Sequence, residues 1–348
     1  MTHPVEISFT EIAADRLAGH QGRVALILTG PARLPTGLPR PAREAALRAL
    51  ESKAGKALKP GGSLELAFPA GMAAEALHLV MLPADATVAQ ARKAGAAIGA
   101  KLGKLHTLVM AGSHKLAGEV ALGLALRGYD FTAYRTKSAG EGEDADTDAD
   151  AGDAASDKPR VTFMARDPEA LARTAKDGAA VAEGVFFTRD LVNEPANVLT
   201  TTDFADRLKA MEEIGLTVEV LDEAELAELG MRALLAVGQG SESPSKVVVM
   251  RWNGGGDETP LALVGKGVVF DTGGISIKPG AGMEEMTMDM GGAGVVAGVM
   301  RTLALRRAKA NVVGLVGLVE NMPDGRAYRP GDILKSMKGD TIEVVNTD

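Results

Sequence analysis

Residues 264–279, VGKGVVFDTGGISIKP, place a glycine-dense segment directly after the short apolar run Leu261–Val264. The segment carries Lys266, Asp271 and Lys278 among its glycines. Glycine after a strand often only makes a turn, so the glycines alone are weak evidence for a site. In an open α/β sheet, however, ligands bind outside the carboxyl ends of the strands, and Lys266 is predicted to follow such an end. The stretch therefore predicts an α/β sheet with a ligand site at its edge.

Two more aspartates lie further along the chain. Asp289 precedes a Gly/Ala-rich helix predicted over 291–309, where free N–H groups favour a carboxylate. Asp348 follows the predicted strand Thr341–Val345. Taken singly, these residues are a helix cap and a turn residue. Three aspartates at one sheet edge would repel one another and raise each other's pKa unless cations such as a pair of divalent ions neutralise them.

The second half of the chain alternates predicted strands and helices. Strands are predicted at Leu216–Leu221, Lys246–Arg251, Leu261–Val264, Asn311–Leu318 and Thr341–Val345, and helices at 168–190, 203–214 and 291–309. Because these strands are near-continuous apolar runs, we expect their sheet to be covered by helices on both faces. Residues 161–348 are therefore assigned to one α/β domain.

The first part of the chain has the same α/β order. Apolar runs at Arg23–Leu28, Leu77–Met81 and Thr107–Ala111 alternate with predicted helices near 40–53, 88–104 and 114–127, which indicates an N-terminal α/β domain over 1–140. Residues 141–157 then carry eight acids and no large apolar side chain. Such a segment buries too little surface to offset its ordering entropy, so we interpret 141–160 as an acidic linker or loop. A calcium loop is the weaker alternative, because the glutamate of an EF-hand loop is missing.

Composition excludes several classes of function. The formal charge of -8 argues against a nucleic-acid partner or an anionic membrane, because both require a basic surface. We find no apolar run that could span a bilayer and no signal-peptide pattern, so we expect a cytoplasmic protein. The chain has no cysteine, which excludes disulfides, thiolate nucleophiles and cysteine-based metal sites. A Ser-His-Asp triad within the second half is impossible, because the histidines all lie in the first third: His3, His20, His78, His106 and His114.

Several longer strings occur in a fixed order. They are RDLVNEPANVLT at 189–200, VEVLDEAELAELGMRALLAVGQGS at 218–241, VGKGVVFDTGGISIKP at 264–279, M-x-x-M-x-x-DMGGA at 283–293, ENMPDGRAYRPGD at 320–332 and VVNTD at 344–348. The chain resembles the M17 leucyl aminopeptidase family in these strings, strongly over about 160–348 and only in general plan before that. The resemblance implies a smaller N-terminal α/β domain and a C-terminal mixed-sheet α/β catalytic domain flanked by helices.

The resemblance also implies a function: two-metal hydrolysis that releases N-terminal residues, leucine and other apolar residues preferred, from peptide substrates. The implied cofactors are two divalent ions per subunit, Mn or Zn. Their implied ligands are Lys266, Asp271, Asp289 and Asp348, with Asp271 bridging the ions. Lys278 is implied as the catalytic lysine, whose charge would stabilise a developing oxyanion. Met286 matches a position that lines the pocket for the first side chain, although a methionine is as often ordinary core.

The match to the family motif stops at Asp348. In the family, Asn-Thr-Asp continues into Ala-Glu-Gly-Arg, whose glutamate bridges the ions. We therefore expect the polypeptide 1–348 to be an inactive, incomplete catalytic domain that binds its second ion weakly. Full-length members assemble as hexamers, so we expect a homohexamer for a full-length protein. Thr287, where many members carry a basic residue, is a smaller departure.

Two other functions fit parts of the sequence. A catalytically dead subunit with an assembly or binding role would differ from the enzyme in metal content and peptide turnover. A nucleotide-dependent enzyme is suggested by Gly238-Gln-Gly-Ser after the apolar run Ala233–Val237. The segment that starts at Gly238 lacks the third glycine of the dinucleotide fingerprint, and the sequence contains no P-loop motif. This alternative therefore ranks last.

Overall fold

The structure is a computed structural model that describes residues 2–30, 34–136 and 159–348. It contains two compact units, an N-terminal unit, His3–Ala179, and a C-terminal unit that contains Ala180–Asp348. The predicted α/β class, with a mixed sheet in the C-terminal half, is confirmed. The division at Ala180 differs from the sequence-based boundary at residue 161. Most of the predicted acidic linker, 141–160, lies outside the described residues.

The N-terminal unit alternates strands and helices. In chain order they are β1 (Glu6–Glu11), α1 (Arg16–Gly19), β2 (Arg23–Leu28), α2 (Arg40–Glu51), α3 (Lys53–Lys56), β3 (Ser63–Ala67), β4 (Ala76–Met81), α4 (Val88–Gly99), β5 (Thr107–Gly112), α5 (Ala117–Arg127) and β6 (Arg160–Ala165). These strands form one sheet in the order β1-β6-β5-β2-β4-β3, parallel throughout except for β3.

Helices cover both faces of this sheet. Alternate side chains of β2, such as Leu26, pack with Ala46 and Leu50 of α2 on one face. On the other face Ala25 belongs to the cluster that contains the apolar residues of α4 and α5. This two-sided burial explains why β4 is apolar at almost every position, with all six residues buried. It also explains why strand existence could be predicted from apolar runs here.

Strand β6 belongs to the N-terminal sheet, although the sequence analysis placed residue 161 in the second domain. It pairs with both β1 and β5, and its Phe163 ring lies 5.9 Å from the ring of Phe9. Strands β1 and β6 are more than 150 residues apart in the sequence. A local sequence pattern cannot predict such a pairing. Short strands β1 and β3 were also not predicted, because their half-exposed sequences lack a continuous apolar run.

The main segment of the C-terminal unit begins at Ala180, inside the long helix α6 (Pro168–Asn193). Its further elements are α7 (Thr201–Lys209), β7 (Thr217–Leu221), α8 (Glu223–Glu228), α9 (Arg232–Gly238), β8 (Lys246–Asn253), β9 (Leu261–Asp271), α10 (Gly291–Arg306), β10 (Asn311–Asn321), β11 (Ile333–Lys335) and β12 (Thr341–Glu343), with 3-10 helices at Ala210–Ile214 and Met283–Met290. The main sheet has the order β7-β8-β10-β9 and is mixed, because only β10 and β9 are parallel. Its core packs against α7 and α10.

Three details of this unit correct the sequence analysis. Strand β9 continues to Asp271, so Lys266 lies within the strand and does not follow its end. The strand is also covered only in part: it is an edge strand, and Leu261 and Val264 are 63% and 79% exposed, whereas Val268 and Val269 are buried. Strand β12 is shorter than the predicted Thr341–Val345 and pairs only with β11 in a separate two-stranded sheet. The predicted strand stopped at Val264 because Gly265 and Gly267 interrupt the apolar run.

Among the helices in the described part of the chain, none is both long enough and apolar enough to cross a membrane.

A buried histidine makes the stability of the N-terminal unit depend on pH. His78 on β4 faces Glu65 of β3 and is 5% exposed. Burial is the main cause that lowers its pKa from 6.5 to about 4; Glu65 opposes this shift, and Lys101 and Arg23 add to it. Unfolded His78 therefore binds a proton between pH 6.5 and 4 that folded His78 does not bind.

We predict that the free energy of unfolding falls as pH drops through this window, by on the order of 3 kcal/mol for this one group. His78→Gln should flatten that decline, because glutamine does not titrate. Chemical denaturation between pH 7 and 4 measures the slope, with exposed His3→Gln as the control. An equally steep decline in His78→Gln and in the unsubstituted protein would show that other groups set the dependence.

Candidate active site

The carboxylate of Asp271 lies at the buried end of β9. Its Oδ1 accepts hydrogen bonds from the Gly273 N–H at 2.9 Å and from Asn321 Nδ2 at 2.8 Å, and its Oδ2 lies 3.3 Å from Lys278 Nζ. Burial by itself would raise the pKa of Asp271, but these two hydrogen bonds and the Lys278 ammonium together hold that pKa below its usual value. Asp271 is therefore ionised at neutral pH although it is only 9% exposed.

The loop after β9 turns back so that Lys278 reaches Asp271. Gly273 and Gly274 adopt φ of +86° and +63°, a region that favours glycine, and the Lys278 N–H closes the turn on the Thr272 carbonyl at 2.8 Å. A Cβ on Gly274 would lie 2.6 Å from Asn321 Oδ1, and one on Gly273 would lie 2.5 Å from a backbone oxygen. These glycines thus make the turn and also leave room for the groups that hold Asp271.

Thr347 fastens the end of the described chain to this loop. Its hydroxyl donates to the Gly273 carbonyl at 2.7 Å and accepts from the Ser276 N–H at 2.8 Å. Its carbonyl accepts from Asn321 Nδ2 at 2.9 Å and from the Tyr328 hydroxyl at 2.9 Å. With these four bonds Thr347 is almost completely buried, so the position of the next residue is fixed.

Asp348 lies beside Lys278 as a result. Lys278 Nζ forms an ion pair with Asp348 Oδ1 as well as with Asp271 Oδ2, and its side chain is mostly buried. One ammonium therefore bridges two carboxylates that come from distant parts of the chain. The sequence analysis expected Asp348 to arrive from a strand of the main sheet, but the hydrogen bonds of Thr347 position it instead.

Lys266 and Asp289 form a second pair. Lys266 Nζ donates to Asp289 Oδ1 at 2.5 Å. The contact depends on the close approach of α10 to β9. Glycine at position 265 permits this approach, since a Cβ there would lie 2.7 Å from the Cα of Ala293. Asp289 Oδ2 is buried and has no hydrogen-bond partner. Asp289 lies in the 3-10 helix, and α10 has Met290 at its N-cap without a side-chain hydrogen bond, so Asp289 does not cap this helix.

The predicted site residues thus form two groups on and around β9. Lys278, Asp271 and Asp348 make one, and Lys266 with Asp289 makes the other. Within the described ranges, no three His, Cys, Asp or Glu residues form a cluster suited to a metal ion. A neutral lysine can also bind a metal ion, and here each of the three aspartates is paired with a lysine. The unpartnered, buried oxygen of Asp289 and the ionised Asp271 fit the donor set of a divalent cation.

Met286 is half-buried in the 3-10 helix, and its predicted role in a pocket stays a prediction. The sequence analysis did not single out Asn321, Thr347 or Tyr328. All three lie in strings quoted there, ENMPDGRAYRPGD and VVNTD, but their contacts span up to 74 residues for Thr347 and Gly273. For Thr347 the available signal was its position next to the candidate ligand Asp348. Burial raises the pKa of the Tyr328 phenol, and the charge of Asp271 raises it further, so the hydroxyl remains a donor.

The chain is similar to known proteins, in its second half to a family model and over its whole length to two relatives. Residues 186–348 match a model of the catalytic domain of the cytosol aminopeptidase family. A probable cytosol aminopeptidase of Cereibacter sphaeroides is 58% identical over 352 residues, an alignment that covers 100% of this chain and 69% of the relative. The corresponding protein of Dinoroseobacter shibae is 58% identical over 351 residues, with the same coverage.

A solved structure is also similar. The bottromycin maturation enzyme BotP, in complex with Mn, superposes with a TM-score of 0.72 at 31% identity. That alignment covers 93% of this chain and 65% of BotP. The chain thus spans about two thirds of the length of the proteins it matches.

We predict that Asn321→Ala lowers the free energy of unfolding by about 1–3 kcal/mol, because Asp271 and the Thr347 carbonyl each lose a buried hydrogen bond. Asn311→Ala is the matched control: it lies on the same strand and also donates Nδ2 to two carbonyls, but in an exposed position. Urea denaturation of both variants measures the difference. A loss in Asn321→Ala no larger than in Asn311→Ala would contradict a supporting role for Asn321.

Proposed function

Because the chain belongs to the cytosol aminopeptidase family, whose members are peptidase hydrolases, we propose that the protein is a metal-dependent aminopeptidase that releases N-terminal residues, leucine and other apolar residues preferred, from peptides. The observation that carries the proposal is the ion-pair cluster at the end of β9, where Lys278 contacts the carboxylates of Asp271 and Asp348. These are three of the residues that the family resemblance assigned to the reaction.

We assign two divalent ions, Mn or Zn, to Lys266, Asp271, Asp289 and Asp348. The buried free oxygen of Asp289 supports this assignment, and so does the similarity to BotP, whose structure contains Mn. Two ions held there would polarise the peptide carbonyl and activate the attacking water. Lysine ligates only as a neutral amine, so binding of an ion by Lys266 would replace its present ion pair with Asp289.

Lys278 is proposed as the residue that stabilises negative charge on the substrate. Its side chain is 19% exposed, so its ammonium interacts with neighbouring charges through little solvent. Its position is determined by the turn that the Thr272 carbonyl closes, not by the substrate. A charge held in advance costs no reorganisation when the oxyanion develops, which is the physical basis of this form of catalysis.

Three further assignments complete the proposal. Met286 would contact the first side chain of the peptide, the location would be cytoplasmic, and the assembly would be a homohexamer. The expectation that the polypeptide 1–348 alone lacks turnover stays a prediction. The experiments below therefore use protein expressed from its complete gene.

We predict that the protein hydrolyses leucine p-nitroanilide and Leu-Gly when Mn or Zn is present. Exhaustive chelation should abolish this activity, and added Mn or Zn should restore it, because the carboxylate cluster by itself holds no activated water. Product release and metal content by elemental analysis are measured on the same samples. Full activity in samples with no detectable metal would contradict the two-metal assignment.

We predict that Lys278→Ala reduces kcat by about 100-fold to 1000-fold, the usual cost of a lost oxyanion contact, and leaves metal content nearly unchanged. Asp271→Ala should instead remove at least one ion. The matched control is Lys338→Ala, because Lys338 is an exposed lysine that pairs with the exposed Asp340.

Kinetics and elemental analysis of the three variants separate charge stabilisation from metal binding. A Lys278→Ala protein that had lost its metal would show that Lys278 serves metal binding. A Lys278→Ala protein with the turnover of Lys338→Ala would show that Lys278 has no part in catalysis.

A further inference from the structure

A cavity of about 500 Å³ opens in the N-terminal unit at the carboxyl ends of its parallel strands. Its walls come from the ends of β2 and β5 and the segments that follow them, and they include Ile27, Thr29, Met110, Ser113, His114 and Lys115. The volume is in the range of small-molecule sites. None of these residues takes part in the proposed peptidase chemistry.

The chain topology explains why a crevice forms at this place. Strands β2 and β5 are hydrogen-bonded neighbours. The helix after β2 is α2, which packs on one face of the sheet, and the helix after β5 is α5, which packs on the opposite face. The chain therefore leaves two adjacent parallel strands in opposite directions. Open α/β sheets bind ligands in the crevice at such a switch point.

The side chains around the cavity favour an anion. Its lining contains the cation Lys115 and three hydroxyl groups, those of Thr29, Thr36 and Ser113. Among the lining residues that the structure describes, none is Asp or Glu, in a chain whose formal charge is -8. A phosphate group presents three acceptor oxygens with nearly two negative charges, which suits one ammonium and several hydroxyl donors.

The remaining wall is apolar. Ile27 of β2 and Met110 of β5 border the cavity from opposite faces of the sheet, and Pro35 borders the same space. Pockets that combine a small polar group of this kind with an apolar wall orient ligands that have one charged end and one apolar body. An inorganic ion would leave this wall facing water.

The loop that carries Ser113 and Lys115 is held in place before any ligand binds. His114 Nδ1 accepts the Leu116 N–H at 3.2 Å, so the ring hydrogen is on Nε2, which donates to the Pro83 carbonyl at 3.1 Å. The imidazole thereby connects the loop after β5 to the loop after β4. A loop ordered in advance loses less entropy on binding.

We propose that this cavity binds a small phosphomonoester whose body offers an apolar face, of the nucleoside monophosphate class. The phosphate contacts Lys115 and the neighbouring hydroxyls, and the base lies in the crevice between Ile27 and Met110. The site is independent of the proposed peptidase function, since every residue in it belongs to the N-terminal unit.

Isothermal titration of the protein expressed from its complete gene tests the proposal, with AMP, adenosine and inorganic phosphate as separate probes. We expect one AMP per chain and much weaker binding of adenosine and of phosphate. Lys115→Ala should weaken AMP binding about 10-fold, the scale of one lost charge-assisted hydrogen bond, and Thr29→Val should weaken it less. Lys93→Ala, an exposed lysine on α4, is the matched control and should bind AMP as the unsubstituted protein does.

Several results would overturn the proposal. One is no detectable AMP binding, and another is AMP binding that Lys115→Ala and Thr29→Val leave unchanged. Adenosine that binds as tightly as AMP would contradict the phosphate contact, and inorganic phosphate that binds as tightly would contradict the apolar contact. Hydrogen exchange supplies a second measurement: AMP should protect the backbone amides of 112–116, and protection confined to other segments would place the ligand elsewhere.

Discussion

Asp271 must stay charged at the end of β9 although little water reaches it, and the groups that meet this requirement organise the rest of the site. Its carboxylate needs donors, and the Gly273 amide, the Asn321 side chain and the Lys278 ammonium provide them. Gly273 and Lys278 belong to the loop after β9, and Asn321 belongs to β10. An unpaired buried carboxylate would cost several kcal/mol, so these contacts are obligatory for the fold as well as for the chemistry.

Asn321 has a central place in this arrangement, because its two amide hydrogens bond to the Asp271 carboxylate and to the Thr347 carbonyl. If the Asn321 side-chain oxygen and nitrogen were exchanged, the oxygen would face two other acceptors, Asp271 Oδ1 and the Thr347 carbonyl. The two partners therefore determine the orientation of the amide. The glycines of the β9 loop let the chain pass close to this amide. Backbone conformation, hydrogen bonding and charge therefore support the same geometry, which is expected of a site that must hold its groups in advance.

Much of the fold could be predicted from local patterns. Helices α2, α4 and α10 lie where the helical pattern predicted them, and strands β2, β5, β8 and β10 lie where apolar runs predicted them, because burial on both faces gives a strand such a run. Strand β9 was cut short because glycine interrupts its apolar run while α10 packs against it. The pairing of β6 with β1 could not be predicted, because two strands that are distant in the sequence leave no local signal of their pairing.

The candidate site was predictable in part. Taken singly, the aspartates have ordinary structural explanations, and only the family resemblance of the strings that contain them and Lys278 implied a common site. The structure pairs Lys278 with Asp271 and Asp348, and Lys266 with Asp289, but the role of these residues as metal ligands is still a proposal. Asn321 and Thr347 escaped notice because a neutral polar residue is common in any loop, and only their long-range partners distinguish them.

The account depends most on the claim that these carboxylates hold the divalent ions. Anomalous diffraction at the manganese absorption edge, from crystals of the protein expressed from its complete gene and grown with Mn, tests that claim directly. We predict two anomalous peaks, with Asp271 in contact with both ions and with Asp289 and Asp348 among the ligands. Peaks located away from these aspartates, or no peak at the end of β9, would contradict the account.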